Sequence, residues 1–275
     1  MQFVPVLALA AVLAGLGPLA LLAVVQGLTE FLPVSSSGHL VLSQALLEFE
    51  EAGMLVEVAL HVGTLLAVLA VYGKDVRAVV ADVLGGRLHD GLMVIVGTLP
   101  VVVVGFTLKD AIEARFGDPR FAAWGLLGTA VILLLGHFGA KRAVSGGRQD
   151  GAIGPLRALL IGCAQALAIL PGISRSGSTI STALWLGVAP ERAARFSFLL
   201  SIPAICGAAI LMLPDASDEV GAGSVELLPL LLATLLAGVV GWVALRIVLA
   251  LLDRGRFAVF APYCAILGLG WLLFA

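Results

Sequence analysis

Charge is scarce in this 275-residue chain: Asp, Glu, Lys and Arg together make up only 12% of it, against 60% hydrophobic residues and a mean hydropathy of +1.11. A soluble domain carries about 25% charged residues, so a surface that meets water on all sides is excluded. The class that remains is a polytopic membrane protein. Basic residues are missing altogether before Lys74; the apolar start therefore lacks the basic n-region of a cleaved signal peptide, and none is expected. No run of Lys or Arg occurs, and the net charge of −2 gives no support to a nucleic-acid partner. Cysteine is confined to Cys163, Cys206 and Cys264, which lack metal-ligand spacing and read as small core residues.

Long apolar runs are what the chain has instead. Six of them, 54–72, 91–108, 121–138, 196–213, 227–251 and 258–275, meet the need of about 20 residues for a bilayer crossing. Four others, 19–32, 39–47, 156–170 and 180–189, are too short and are paired around polar breaks. Such pairs read as re-entrant hairpins, because non-helical backbone at membrane depth must be buried in protein or line a wet cavity. Residues 3–17 form an extra apolar stretch, which either lengthens the first limb or crosses separately. The fold expected is all-α: six transmembrane helices plus two re-entrant hairpins in one membrane domain, 1–275.

Basic residues orient that arrangement. With both hairpins returning to their side of origin, one side collects Lys74, Arg77, Arg87, Lys141, Arg142, Arg148, Arg157, Arg192, Arg195, Arg254 and Arg256. The other collects only Lys109, Arg115 and Arg120, together with the acidic loop 214–226. The positive-inside rule places the first side in the cytoplasm. One hairpin then enters from outside and the other from inside. Pro33 to Glu57 and Pro171 to Arg195 each cover 24 positions. Opposite entrances and equal spacing describe an inverted-topology repeat, approximately 19–140 and 155–275, with a binding site where the tips meet. A chance likeness between two Ser/Gly-rich turns is the weaker explanation.

The tips themselves are Leu32-Pro33-Val34-Ser35-Ser36-Ser37-Gly38 and Leu170-Pro171-Gly172-Ile173-Ser174-Arg175-Ser176-Gly177. Leu-Pro ends a helix, and the Ser/Gly cluster after it starts another. Two half-helix N-termini would then attract phosphate oxygens to one place. Arg175 offers a planar fork suited to phosphate; burying it costs about 2.5–3.5 kcal/mol, so an anionic partner is expected. Glu30 could hold a divalent cation. Ser36 near His39 is the minimal arrangement for an activated nucleophile. Against these stand plainer roles. Ser43, Ser178 and Ser181 read as local hydrogen-bonders, and Gln26 and Glu30 as one-turn neighbours pairing across the hairpins. Glu30 with Arg175 could be a structural ion pair between the halves. His61, beside Glu57 at helical spacing, reads as packing polarity at least as readily as a site residue. Arg246, in mid-span, has no evident partner.

The stretch from Gln26 through Glu30 and Ser35-Ser36-Ser37-Gly38 to His39 resembles the first signature of the undecaprenyl-diphosphatase family, the bacitracin-resistance membrane phosphatases. Pro171 to Thr179 resembles its second. The resemblance implies an integral enzyme of the bacterial plasma (inner) membrane, with its site open to the outer face. Such an enzyme hydrolyses undecaprenyl diphosphate to undecaprenyl phosphate and inorganic phosphate, and so recycles the lipid carrier for peptidoglycan and cell-wall biogenesis. A divalent cation, Mg2+ or Ca2+, is implied as cofactor, with Glu30 near the metal. Ser36 is implied as nucleophile, His39 as acid/base and Arg175 as the grip on phosphate. Gln26, Ser35, Ser37, Ser174, Ser176 and Thr179 are implied as substrate-binding residues. Gln26 stands where the family often has Glu, and His61 where a Gln is usual.

A polyprenyl-phosphate transporter is the rival reading, since an inverted repeat with paired hairpins also suits alternating access. The Ser–His pair with Glu and Arg favours the enzyme, because a carrier needs no nucleophile. A channel lacks any ring of charges or filter-like repeat. Attack by an activated water in place of Ser36 stays open, as does oligomeric state, with a homodimer among the options.

Overall fold

A computed structural model describes residues 4–47, 54–145, 152–221 and 227–274. Every regular element among them is helical: α1 (Val4–Phe31), α2 (Ser36–Leu47), α3 (Met54–Leu84), α4 (His89–Thr107), α5 (Lys109–Phe116), α6 (Pro119–Ser145), α7 (Pro155–Leu167), α8 (Arg175–Trp185), α9 (Pro190–Gly221), α10 (Leu227–Asp253) and α11 (Phe260–Phe274), with a 3₁₀ turn at Phe257–Val259. Six segments are long and apolar enough to cross a bilayer: Leu55–Leu84, His89–Thr107, Pro119–Lys141, Pro190–Leu211, Leu227–Asp253 and Phe257–Phe274. Each matches a span expected from sequence. Large apolar side chains such as Leu66, Ile95, Val103, Phe106, Leu135 and Val239 stay exposed on the outer faces of these helices. On a protein in water they would form an adhesive patch; in a bilayer they meet lipid tails.

Several limits move. α1 is continuous from Val4 through Pro18 to Phe31, so residues 4–17 lengthen the first limb. α3 runs on past the expected 72 to Leu84, carrying Lys74 and Arg77 on its last turns. Lys109 and Arg115 stand on a helix of their own, α5. The expected loop 214–226 is helical as far as Gly221, and 222–226 lies outside the described residues, as do residue 3 and Arg148.

The main helix pairs join elements far apart in the chain. α1 packs along α10, and α7 packs along α4; α3 lies against α9, and α6 against α11. Small residues make the closest approaches possible. A Cβ on Gly162 of α7 would strike the carbonyl of Gly97 on α4, and one on Gly27 of α1 would come within 2.7 Å of the Ala237 carbonyl on α10. Without a hydrophobic drive between helices in lipid, this backbone proximity is what holds them. Beneath the first tip, Phe31 meets Phe198 edge-on at 5.8 Å, and Tyr72 stacks on the other side at 5.6 Å, tying α1, α3 and α9. Arg195 and Asp75 add an ion pair between α9 and α3, at 2.7 Å. Cys264 is buried as expected, whereas Cys163 on α7 is exposed and Cys206 half-buried. Arg246, unpartnered in sequence, lies over the Trp242 ring at 5.0 Å.

Candidate active site

The two polar breaks build the same local structure. Ser35 precedes α2, and its Oγ accepts from the Gly38 N–H at 3.3 Å. Ser174 precedes α8, and its Oγ accepts from the Gly177 N–H at 3.1 Å. Each capping serine also sits 3.3 Å from the hydroxyl two residues on, Ser37 and Ser176 respectively. The caps satisfy one of the orphan donors at each helix start and leave the others free. The tips touch where side chains are absent: a Cβ on Gly38 would lie 2.9 Å from the Gly172 Cα. Gly172 has φ +87° and its missing Cβ would collide with the Ala122 carbonyl of α6, so only glycine suits that corner.

Each tip is held from behind by a different helix. Thr129 of α6 donates from Oγ1 to the Gly172 carbonyl at 2.7 Å and accepts from the Ser174 N–H at 2.9 Å. On the first tip, His39 Nδ1 donates to the Ser35 carbonyl at 2.8 Å, which leaves Nε2 to accept from the Tyr263 hydroxyl of α11 at 2.7 Å. The two rings lie nearly parallel, 5.6 Å apart. Ser35 itself has φ +70°, a conformation unfavourable for a residue with a Cβ. The carbonyl that the His39 ring contacts belongs to this residue.

Between the tips lies a cavity of about 230 Å³. Glu30, Ser35, Ser36, Ser37, Ser174 and Arg175 line it, as do Glu57 and His61 of α3 and Gln165 of α7. Its other walls are apolar, including Val41, Val58, Val101, Ile169, Ile173 and Ile205. Glu30, on the last turn of α1, is the hub. Its Oε2 accepts from Ser36 Oγ at 2.7 Å and from Gln26 Nε2 at 3.1 Å, while Oε1 accepts from Arg175 Nη2 at 2.5 Å. His61 Nε2 lies 3.9 Å from Oε2. Glu30 is the anionic partner that a buried Arg175 requires, and the pair joins the two halves across the cavity. Arg175 is not saturated by it: its Nη1 is buried and has no partner.

Of the residues expected in the site, Glu30, Ser35, Ser36, Ser37, Ser174 and Arg175 therefore meet at one cavity. The expected Ser36–His39 pair is not formed, because Ser36 donates to Glu30 and both nitrogens of His39 are engaged by Ser35 and Tyr263. Thr179 is fully buried, donating to the Arg175 carbonyl at 2.8 Å and sharing a 2.6 Å hydrogen bond with Ser197. Ser176 bonds the Leu32 carbonyl at 3.3 Å, and Gln26 supports Glu30 from behind. These three brace the site and do not line it. Ser178 and Ser181, expected to bond locally, are buried with their hydroxyls unpaired against the close α6–α8 contact, where Ser181 meets Gly136. His61, weighed in the sequence between packing polarity and the site, lines the cavity, whereas Glu57, Gln165 and Thr129 were not singled out for the site from sequence. Gln165 had a signal available, since it precedes Ser174 by the same nine positions that separate Gln26 from Ser35.

Among the described residues no three His, Cys, Asp or Glu side chains gather into a metal cluster. What faces the cavity is a set of hard oxygen donors: the Glu30 and Glu57 carboxylates and the Ser36 hydroxyl. One or two carboxylates, with phosphate oxygens completing the shell, are the usual holders of Mg2+, and Ca2+ takes similar ligands. The donor set fits such an ion.

Fold and site together define a multi-pass helical membrane protein whose two helix breaks meet at a cavity lined by Glu30, Ser36 and Arg175. The chain belongs to the family of bacitracin resistance protein BacA, whose model matches residues 19–270. It is 42% identical over 268 residues to the undecaprenyl-diphosphatase of Desulforapulum autotrophicum, covering 90% of this chain and 94% of that one. It is also 41% identical over 272 residues to the undecaprenyl-diphosphatase of Salinibacter ruber, covering 92% and 97%, and 43% identical over 266 residues to that of Desulfosudis oleivorans, covering 90% and 94%.

Proposed function

We propose that this protein is a membrane phosphatase that removes the terminal phosphate of undecaprenyl diphosphate, returning the lipid monophosphate to cell-wall synthesis and conferring resistance to bacitracin. The observation that carries this reading is the contact between Ser36 and Glu30, with Arg175 on the opposite carboxylate oxygen, at the junction of two helix N-termini. Free N–H groups and the guanidinium draw a diphosphate into the cavity. Ser36 Oγ attacks the terminal phosphorus as its proton passes to Glu30. The bond from that phosphorus to the bridging oxygen breaks, and the lipid monophosphate leaves, taking the proton back from Glu30. Water then hydrolyses the phosphoserine, releasing inorganic phosphate and restoring the hydroxyl. Arg175 offsets the charge that builds on the phosphoryl oxygens. Glu30 and Glu57 would hold the divalent cation, which supplies further charge neutralisation when bound. His39 acts here as a brace for the Ser35 turn, in place of the acid/base role expected from the resemblance.

The two halves form an inverted repeat in this reading. The reciprocal pairing of α1 with α10 and of α7 with α4, and the matched Ser–Gly caps, support it. In the plasma membrane the basic residues stay cytoplasmic, which puts the first turns of α3, with Glu57 and His61, and the α5 residue Phe116 toward the outer face. The cavity then opens outward. The carrier reading finds no support in the relatives, which are named as diphosphatases. Purified protein given farnesyl diphosphate and Mg2+ in detergent should release one phosphate per lipid. Binding of the lipid with no phosphate released would overturn the enzyme reading.

A further inference from the structure

Gln165 is buried, with 1% of its surface exposed, and it lines the cavity, yet neither its Oε1 nor its Nε2 has a hydrogen-bond partner. An unpaired buried amide is costly in an apolar setting. The two halves show how it came to be free. Gln26 and Gln165 each stand nine positions before their capping serine, and four positions further on come Glu30 and Ile169 respectively. Gln26 spends its amide on Glu30, at 3.1 Å. Gln165 meets an isoleucine at the matching place and keeps its amide for something else. The residue after each cap differs likewise: Ser36 in the first half, Arg175 in the second. The first half thus supplies a hydroxyl and a carboxylate, and the second supplies two unused donors, Arg175 Nη1 and Gln165 Nε2.

We infer that Gln165 is a phosphate-binding residue, its Nε2 donating to an oxygen of the same diphosphate that Arg175 Nη1 grips, while its Oε1 accepts from a water hydrating that phosphate. This rests on the diphosphatase reading and adds a ligand to it. The test is Gln165→Met, which keeps volume and removes both polar atoms, with Gln165→Glu beside it, which keeps the shape and turns a donor into an anion. For farnesyl diphosphate, Gln165→Met should raise KM by about tenfold or more, the loss expected of a hydrogen bond to a charged group. Gln165→Glu should raise it further by repelling phosphate. The unfolding midpoint of ligand-free Gln165→Met should be unchanged or higher, because replacing an unpaired buried amide by an apolar group removes a penalty. The rise in midpoint that wild type gains from inorganic diphosphate should shrink in both variants. A lowered ligand-free midpoint for Gln165→Met, or an unaltered KM, overturns the assignment. Wild type that releases no phosphate would instead sink the diphosphatase reading itself.

Discussion

At the scale of single residues, Glu30 and the groups that share its two oxygens hold the site together. Arg175→Lys keeps a positive charge but loses the planar fork that serves Glu30 with one arm and leaves the other for phosphate. Turnover should fall by roughly 10- to 100-fold, the value of one charge-assisted hydrogen bond, while the protein still inserts. Near-normal turnover, measured as phosphate release, would reduce Arg175 to a structural counter-ion. Ser36 and Glu30 are in direct contact, so their losses should not multiply. Ser36→Ala, Glu30→Gln and the double variant should fall to similar rates; multiplying losses would mean separate tasks, and an active Ser36→Ala would hand the attack to water. His39 should behave differently. Tyr263→Phe removes only the hydrogen bond to Nε2, and a modest effect of about 1 kcal/mol on stability is expected. A loss in Tyr263→Phe as deep as that in Ser36→Ala would contradict the bracing role.

At the scale of elements, the tips are precise because α6 and α11 hold them from behind. Thr129→Val keeps the shape but leaves the Gly172 carbonyl and the Ser174 N–H unpaired. Each buried orphan costs about 1–3 kcal/mol, so a clear drop in unfolding midpoint is expected, with Thr129→Ser close to wild type. Equal stability of the Val and Ser variants would show that the second tip does not depend on α6. The breaks themselves were legible in the sequence, since Leu-Pro and Ser/Gly clusters act through local backbone chemistry. So were the meeting of Ser36, Glu30 and Arg175 and the six spans. The partners of His39 were not. Sequence spacing placed Ser36 and His39 three apart on one helix, but Ser36 starts α2 and turns to the Glu30 that precedes it, whereas His39 faces α11. Tyr263 lies 224 positions away, and only the packing of α11 brings it there. Thr129 escaped for the same reason, as a polar residue inside an apolar helix whose partners are set by tertiary contacts, whereas Gln165 was legible in its nine-position match with Gln26.

At the scale of the whole molecule, the orientation proposed from charge asymmetry makes a prediction of its own. A cysteine placed at Asp110 on α5 should react with an impermeant maleimide on intact cells, and one at Arg87 only after permeabilisation; the reverse pattern would turn the site toward the cytoplasm. In the proposed reading the cavity between the tips cleaves a lipid diphosphate and does not carry a lipid phosphate. Its most direct test is undecaprenyl diphosphate reconstituted with the protein in vesicles containing Mg2+, with inorganic phosphate and the lipid product quantified together. One phosphate should be released for each undecaprenyl phosphate formed, with near-complete loss of both in Glu30→Gln. Intact diphosphate in the presence of folded wild type, or release undiminished in Glu30→Gln, would contradict it.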